Sequence, residues 1–279
     1  MGLASVEDVA RRVGDPALRL VDVRWYLNRP DEGRRAYDAG HLPGAIFLDL
    51  DADLSAPEGP GRHPLPDPAS FARRLESRGI GTDASVVAYD DAGGTIAARL
   101  WWMLDALGHR DVAVLDGGIR AWIDAGLPLS TEAVRLPPAS LELARSWPRT
   151  IDRTALRDRL GEIALLDARA PERYRGDVEP VDPAKGHIPT ALSAPTSDNL
   201  GPDGRFLDAD ALRERYAALA DGRTVAVSCG SGTSACHDAL AMRVAGLPDP
   251  LLYPGSFSDW SRSGLPVATG DDPGETPKP

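Results

Sequence analysis

The sequence contains an internal repeat that extends over most of its 279 residues. Five short segments of the first half recur in the second half, in the same order and about 140 residues later. The pairs are Leu20–Arg24 with Leu165–Arg169, Gly40–Pro43 with Gly186–Pro189, Val86–Asp90 with Val225–Cys229, Gly117–Trp122 with Gly255–Trp260, and Gly126–Pro128 with Gly264–Pro266. This order and spacing indicate a tandem duplication, and the length also suits about two domains of ordinary size.

Each half alternates short apolar segments with segments of helical pattern. Apolar segments without helical period are typical of buried parallel strands. The predicted strands are 19–23, 86–89 and 112–115 in the first half and 164–167, 224–228 and 251–253 in the second, and the predicted helices include 68–78 and 94–107. The pattern therefore predicts an α/β fold in which each domain has a parallel sheet flanked by helices.

The domain boundaries follow from the repeat and from the segments between its copies. We predict an N-terminal domain over residues 1–130 and a C-terminal domain over residues 151–268. Residues 131–150 are rich in proline and show no clear period, which predicts a linker. Residues 269–279 consist largely of glycine, proline and acidic residues, which predicts a flexible tail.

Charge and cysteine content exclude several classes of protein. The formal net charge of −11 argues against a nucleic-acid binder and against an anionic-membrane binder, since both need a basic surface. Two cysteines are too few for a disulfide scaffold or a four-cysteine zinc site. No apolar segment approaches the roughly 20 residues that cross a bilayer, and residues 1–8 do not resemble a signal peptide. We therefore expect a cytoplasmic protein.

The two halves differ most clearly in the loop after their central strand. The first half has Asp90–Thr95 at this point, whereas the second has Cys229–Cys236, in which glycine, serine and threonine follow the first cysteine. Open α/β sheets bind ligands at the carboxyl ends of their strands. Small residues let successive backbone N–H groups point into the loop, and the following helix adds partial positive charge. These features favour a reactive thiolate at Cys229, although a free cysteine can also be an inert buried side chain.

Two kinds of chemistry use a cysteine in such a loop. Cysteine-dependent phosphatases need an arginine six positions after the cysteine, to bind phosphate oxygens in bidentate fashion. That position is Ala235 here, and residues 230–237 contain neither arginine nor lysine. Phosphoryl transfer is therefore disfavoured. Sulfur transfer requires less countercharge, because loop dipoles alone can stabilise a persulfide anion.

The tandem layout, the paired Gly-His-(Leu/Ile)-Pro motifs and the loop Cys229–Ala235 resemble the two-domain rhodanese family. The resemblance covers about residues 5–268 and implies two rhodanese-like domains, the first of them without catalytic function. It also implies a sulfurtransferase that takes sulfur from thiosulfate or 3-mercaptopyruvate and passes it to cyanide or a thiol through a cysteine persulfide. No metal or organic cofactor is implied. A persulfide relay or binding module without catalysis is the alternative.

The resemblance also implies roles for individual residues. Cys229 corresponds to the cysteine that forms the persulfide. Ser231, His63 and Asp51 match a proton relay, and Arg173 matches the substrate-binding arginine. The loop residues that match the sulfur and substrate site are Gly230, Ser231, Gly232, Thr233 and Ser234. The loop beginning Cys-Gly-Ser-Gly is that of the mercaptopyruvate enzymes.

Several positions depart from the mercaptopyruvate pattern. A second substrate arginine is common nine residues after the first, but that position is Asp182. Arg175 and Lys185 are candidates to replace it. Thr233 and Ser234 also stand where valine and threonine are usual. The preferred donor therefore stays open at this point.

Residues repeated in both halves are expected to serve the fold, because the first half lacks the cysteine. They are His41 with His187, and the pairs Asp22 with Arg24 and Asp167 with Arg169. Asp90 stands at the position of Cys229 and cannot act as a sulfur nucleophile. Cys236 is expected to be a buried structural thiol.

Overall fold

The computed structural model describes residues 2–276, and the chain divides into two compact units. The first unit comprises the residues up to 57 together with 65–148 and 202–206, and the second comprises 58–64, 149–201 and the residues from 207 onward. Segment 58–64 thus belongs to the second unit although it lies in the first half of the sequence, and segment 202–206 belongs to the first unit although it lies in the second half. No helix in the described range is long and apolar enough to cross a bilayer.

A five-stranded parallel sheet forms the centre of the first unit, as predicted. Its order is β1-β5-β4-β2-β3. The strands are β1 Leu3–Ala4, β2 Leu18–Asp22, β3 Ile46–Phe47, β4 Ser85–Tyr89 and β5 Val112–Leu115, and the helices are α1 Val6–Arg12, α2 Glu32–Ala39, α3 Pro68–Ser77, α4 Ala97–Ala106 and α5 Gly118–Asp124. The central strand β4 is buried along its whole length, which explains its uninterrupted apolar sequence.

The second unit repeats this architecture with a four-stranded parallel sheet of order β7-β6-β8-β9. Its strands are β6 Ala164–Asp167, β7 Leu192–Ser193, β8 Val225–Ser228 and β9 Leu251–Leu252, and its helices are α6 Arg153–Asp158, α7 Pro171–Arg175, α8 Ala209–Ala220, α9 Ala235–Val244 and α10 Ser256–Trp260. A short 3-10 helix covers Thr196–Asn199. Strands β6 and β8 pair as β2 and β4 do in the first unit, so the two units share the predicted α/β architecture.

The repeated Asp–Arg pairs are buried and hold corresponding turns in the two units. Arg24 binds Asp22 at 2.6 Å and donates to the Gly40 carbonyl at 2.7 Å. Arg169 binds Asp167 and the Gly186 carbonyl at the same two distances. The predicted pairs are therefore confirmed, and each links the end of a strand to the glycine of a Gly-His motif.

The repeated histidines are structural, as predicted. His41 stacks on Tyr37 with ring centroids 3.8 Å apart, and its Nδ1 lies 2.8 Å from the Tyr37 carbonyl oxygen. His187 makes the same two contacts with Tyr174 at the same distances. Their backbones pair with Ser130 and Ala268, respectively, so that each motif fastens the last segment of its own domain.

Residues 131–148 contain neither helix nor strand, but they are hydrogen-bonded to the first unit. The amides of Ala139 and Leu141 donate to the backbone and the side chain of Glu76 at 3.0 and 2.9 Å. This segment follows the surface of its own domain.

The sequence predicts a flexible tail from residue 269, but residues 269–276 instead bond to the second unit. The Gly270 amide donates to the Arg175 carbonyl at 2.9 Å, and the Thr190 amide donates to the Pro273 carbonyl at 2.6 Å. Composition alone does not reveal these backbone contacts. Residues 277–279 lie outside the described part of the chain.

Candidate active site

The loop that follows β8 places a buried cysteine among backbone amides. We call residues 229–234 the Cys loop. Cys229 is 1% exposed, and its Sγ accepts hydrogen bonds from the amides of Gly232 at 3.1 Å and Ser231 at 3.4 Å. The loop leads directly into α9, whose N-terminus carries partial positive charge. These dipoles favour negative charge on the sulfur.

The curl of the Cys loop depends on Gly232. Its φ is +77°, a region that L-residues with a Cβ rarely adopt. A Cβ at this position would also lie 2.4 Å from the Pro254 carbonyl oxygen. Glycine is therefore required here both by the backbone angle and by the close approach of the neighbouring chain.

The start of α10 fixes the Cys loop from the other side. The amide of Cys229 donates to Ser256 Oγ at 3.0 Å, and Ser256 Oγ donates to the Tyr253 carbonyl at 2.9 Å. The amides of Phe257 and Ser258 donate to the carbonyls of Cys229 and Gly230, each at 2.9 Å. Sequence reasoning missed Ser256, although it belongs to the second copy of the Gly117–Trp122 motif.

Segment 58–64 brings a histidine to the Cys loop within the second unit. The Arg62 amide donates to Ser258 Oγ at 3.0 Å, which anchors the segment. His63 Nδ1 lies 2.8 Å from Ser231 Oγ and 3.4 Å from Thr233 Oγ1, and all three side chains are buried. The structure therefore brings the predicted residues His63 and Ser231 together beside Cys229.

Asp51 belongs to the first unit, where its carboxylate accepts a hydrogen bond from Trp25 Nε1 at 2.9 Å. Its membership of the proton relay stays a prediction.

Ser234 and Cys236 support the end of the Cys loop. The Ser234 carbonyl accepts the His237 amide at 3.0 Å in the first turn of α9. Cys236 is fully buried, and its Sγ donates to the Gly232 carbonyl at 3.4 Å. This contact fits the predicted structural thiol. Within residues 2–276, no cluster of three histidine, cysteine, aspartate or glutamate side chains is arranged to hold a metal ion.

Arg173, the predicted substrate-binding arginine, forms an ion pair with a buried carboxylate. It donates to both carboxylate oxygens of Glu179, at 2.7 and 2.9 Å from the same Nη2. Burial by itself raises the pKa of Glu179, but hydrogen bonds from Arg173 and from the amides of Asp182 and Val181 outweigh it, so the pKa is lowered. Glu179 is therefore a carboxylate at neutral pH.

Two arginines that sequence reasoning missed lie beside Asp182. Arg62 Nη1 forms an ion pair with Asp182 Oδ1, and Arg262 Nη1 lies 3.2 Å from the same oxygen. Of the predicted substitutes for a second arginine, Arg175 pairs with Asp177, and Lys185 is exposed. The adjacency of Arg62 to His63 was an available signal, whereas nothing in the sequence indicates Arg262.

Helix α9, which follows the Cys loop, also buries a titratable carboxyl group. Asp238 Oδ1 accepts hydrogen bonds from Asn199 Nδ2 at 2.9 Å and from the Tyr216 hydroxyl at 3.0 Å. Among the described residues, its Oδ2 has no hydrogen-bond partner. Burial raises the pKa of Asp238 to about 7, and the bond from Asn199 and the charge of Arg215 oppose this shift.

Comparisons with known proteins show to which family the chain is similar. The model of the rhodanese-like domain matches the chain twice, at residues 5–125 and 152–263. A probable 3-mercaptopyruvate sulfurtransferase from Pseudomonas aeruginosa is 47% identical over 96% of this chain and 98% of its own length. The thiosulfate sulfurtransferase of Bos taurus is 36% identical over 90% of this chain and 87% of its own.

A solved structure gives the same result. SseA from Escherichia coli, a 3-mercaptopyruvate sulfotransferase with the rhodanese fold, superimposes with a TM-score of 0.82 at 30% identity. The match covers 92% of this chain and 98% of that protein. The two matched domains, the relatives and the fold lead to one conclusion: the chain belongs to the rhodanese family.

Proposed function

We propose that the protein transfers sulfane sulfur from 3-mercaptopyruvate or thiosulfate to a thiophilic acceptor through a persulfide on Cys229. Its full-length relatives are sulfurtransferases, and the chain is an enzyme of that class. The observation that carries it is the Cys229 sulfur, held by the amides of Ser231 and Gly232 next to the His63–Ser231 pair.

In the first step, the Cys229 thiolate attacks the outer sulfur of the donor. With thiosulfate, the S–S bond of the donor breaks and sulfite leaves with the bonding electron pair, so no proton is needed. With 3-mercaptopyruvate, the C–S bond breaks and the electron pair goes to the methylene carbon. The proton of the donor thiol must then reach that carbon to give pyruvate. Both reactions leave Cys229 as a persulfide anion.

The contact between His63 and Ser231 supports a role of this pair in the proton transfer that the mercaptopyruvate reaction requires. Histidine exchanges protons near neutral pH, and the serine hydroxyl at 2.8 Å extends its reach toward the sulfur. The amides of the Cys loop stabilise the persulfide anion by the same dipoles that favour the thiolate.

In the second step, the acceptor attacks the outer sulfur of the persulfide. Cyanide forms a bond to that sulfur, the S–S bond breaks, and Cys229 recovers its thiolate while thiocyanate departs. A small thiolate gives the corresponding persulfide in the same way. Each half-reaction is complete without the other substrate, which predicts ping-pong kinetics.

The test is the intact mass of the protein after treatment with each donor alone. We expect the mass of one sulfur atom to be added to the wild type and to be removed again by cyanide. Cys229→Ser is expected to gain no mass and to transfer no sulfur. Cys236→Ser is the matched control, because it removes the other thiol of the chain, which donates to the Gly232 carbonyl.

Two results would contradict the proposal. One is transfer by Cys229→Ser at the rate of the wild type, and the other is an unchanged mass with both donors. Steady turnover with free cyanide separates an enzyme from a protein that only relays persulfide to a partner, since a relay is slow without its partner.

A further inference from the structure

Four arginines and three carboxylates of the chain are connected to one another by ion pairs. We call them the arginine cluster: Arg62, Arg169, Arg173 and Arg262 with Asp167, Glu179 and Asp182. All belong to the second unit. With every member ionised, the cluster keeps one net positive charge. The number of carboxylates therefore determines how much positive potential an anionic donor meets.

Asp182 is the carboxylate shared by most of these arginines. Its side chain is fully buried. Oδ1 contacts the guanidinium groups of Arg62 and Arg262, and Oδ2 lies 3.6 Å from Arg173 Nη2. Among the described residues, Oδ2 has no hydrogen-bond partner, so this oxygen influences the cluster mainly through its charge.

Two of the arginines paired with Asp182 also reach the Cys loop. A methyl group added at Gly230 would lie 2.8 Å from Arg62 Nη2 and 3.5 Å from each Nη atom of Arg173. Arg62 Nε is buried and has no hydrogen-bond partner among the described residues. Gly230 directly follows Cys229, so a donor whose sulfur contacts Cys229 brings its anionic group to these guanidiniums.

We propose that Asp182 determines the donor charge that the enzyme accepts, favouring a monoanion over a dianion. This inference rests on the proposed function. 3-Mercaptopyruvate carries one negative charge on its carboxylate and thiosulfate carries two, so the negative charge of Asp182 disfavours thiosulfate about twice as strongly. Asp182 is thus a specificity-determining residue that acts through Arg62, Arg173 and Arg262.

Removing the negative charge of Asp182 should change the relative rates with the two donors. Asp182→Asn keeps the shape of the side chain and adds one positive charge to the cluster. Each negative charge of a donor is then attracted more strongly, so that the dianion gains about twice what the monoanion gains. The ratio of kcat/KM for thiosulfate to kcat/KM for 3-mercaptopyruvate should rise roughly tenfold. Added salt should make this rise in the ratio smaller, because screening weakens the attraction of the dianion more than that of the monoanion.

The experiment measures both donors with cyanide as the common acceptor. Asp177→Asn is the matched control: it removes the same charge from an exposed carboxylate that pairs with Arg175 outside the cluster. We expect the control to change the ratio by less than about twofold. Arg262→Met removes a positive charge from a half-exposed side chain and should move the ratio in the opposite direction.

The outcomes are separable from those of the proposed function. If the wild type transfers sulfur but Asp182→Asn and Arg262→Met leave the ratio unchanged, the role of Asp182 is refuted and the proposed function stands. If Asp182→Asn does not fold, Arg262→Met decides. If the wild type uses neither donor, the proposed function fails. Calorimetric binding of thiosulfate and of pyruvate to the wild type and Asp182→Asn then tests the charge preference alone.

Discussion

Asp90 in the loop after β4 and Cys229 in the loop after β8 stand at corresponding positions of the two units. The Asp90 carboxylate is buried and accepts four backbone hydrogen bonds, from Ala92 and Gly94 at 2.8 Å, from Ile96 at 2.7 Å and from Ala97 at 2.8 Å. The Cys229 sulfur accepts two, and at longer distances. Both loops therefore direct amides inward, but the first loop satisfies them with its own side chain.

The backbone around the two loops is built in the same way. The Ile119 amide donates to the Asp90 carbonyl at 3.0 Å, as the Phe257 amide does to the Cys229 carbonyl at 2.9 Å. The residues before these donors, Gly118 and Ser256, have φ angles of +57° and +51°. We call the inward-pointing amides of each loop its amide nest. The nest is a property of the fold, whereas its chemistry depends on the one side chain that it surrounds.

The Asp90 carboxylate fills its loop and supplies hydrogen-bond acceptors to the four inward-pointing amides. Burial raises the pKa of Asp90, and the amide hydrogen bonds from Ala97, Ala92, Gly94 and Ile96 oppose this shift. In the second unit, the Cys229 sulfur stands at the same place and accepts hydrogen bonds from the amides of Ser231 and Gly232. The two loops thus present different side chains to the same arrangement of backbone amides.

The strongest test of this difference is Asp90→Asn. The amide group can replace one carboxylate oxygen, but its NH₂ then faces backbone N–H donors, and buried donors lose their acceptor. We expect the free energy of unfolding to fall by about 3–5 kcal/mol. Sulfur transfer per folded molecule should not change. Calorimetric and denaturant unfolding measure the first quantity, and kcat corrected for the folded fraction measures the second.

Cys229→Ser is the counterpart in the second loop. It should abolish transfer and change the free energy of unfolding by less than about 1 kcal/mol. If Asp90→Asn unfolds at the same midpoint as the wild type, the carboxylate does not hold the first loop and the comparison fails.

Much of the fold follows from local sequence. The duplicated segments reveal the two domains, and the buried strand β4 and the helix α3 lie within one or two residues of their predicted bounds. These features depend on periodicity, and α3 also on Pro68 at its first position after the cap Asp67. The candidate site is less local. His63 was found through the family resemblance, since it lies 168 residues from Ser231.

The arginine cluster could not be predicted from the sequence. Arg62 and Arg262 meet Asp182 across 120 and 80 residues, and no periodic pattern encodes such contacts. The sequence only shows aspartate in place of an expected arginine at 182. The nest of Asp90, in contrast, is formed within seven residues. An aspartate at a strand end followed by two glycines was an available signal for it.

The comparison can be sharpened with a second buried carboxylate, Asp238 in the helix after the Cys loop. Asp90 has four amide donors, whereas Asp238 has an oxygen without a hydrogen-bond partner in the described chain. Its pKa is raised from an ordinary value of 3.8 to about 7. Between about pH 4 and 7 the folded state therefore binds this proton more tightly than the unfolded state, and stability falls as pH rises through that window.

We expect the wild type to lose up to about 4 kcal/mol relative to Asp238→Asn between pH 4 and pH 7, at about 1.4 kcal/mol per pKa unit. The measurement is the difference in free energy of unfolding between the two proteins as a function of pH. Asp210→Asn, which removes an exposed carboxylate of α8, is the control and should give a flat difference. A flat difference for Asp238→Asn as well would mean that Asp238 titrates normally, and that two hydrogen bonds serve a buried carboxylate as well as four.

The smallest expected effect tests the hydroxyl by which the second loop differs from the first. Two residues after Cys229 stands Ser231, and two residues after Asp90 stands Ala92. Ser231→Ala therefore copies the first loop at this position and breaks the contact with His63. Transfer from 3-mercaptopyruvate should slow about 100-fold, because the carbon leaving group needs a proton, whereas thiosulfate should change by less than about twofold.

The initial rates with the two donors and a common acceptor decide this point. Ser228→Ala is the matched control, since its buried hydroxyl donates to the Leu166 carbonyl at 3.2 Å at the end of β8. It should leave both rates unchanged. If Ser231→Ala slows both donors equally, the hydroxyl positions the Cys loop rather than delivering a proton. Thiosulfate releases sulfite without protonation, so its rate can fall only if the geometry around the sulfur changes. With both donors slowed equally, the two loops would differ in chemistry only at Cys229.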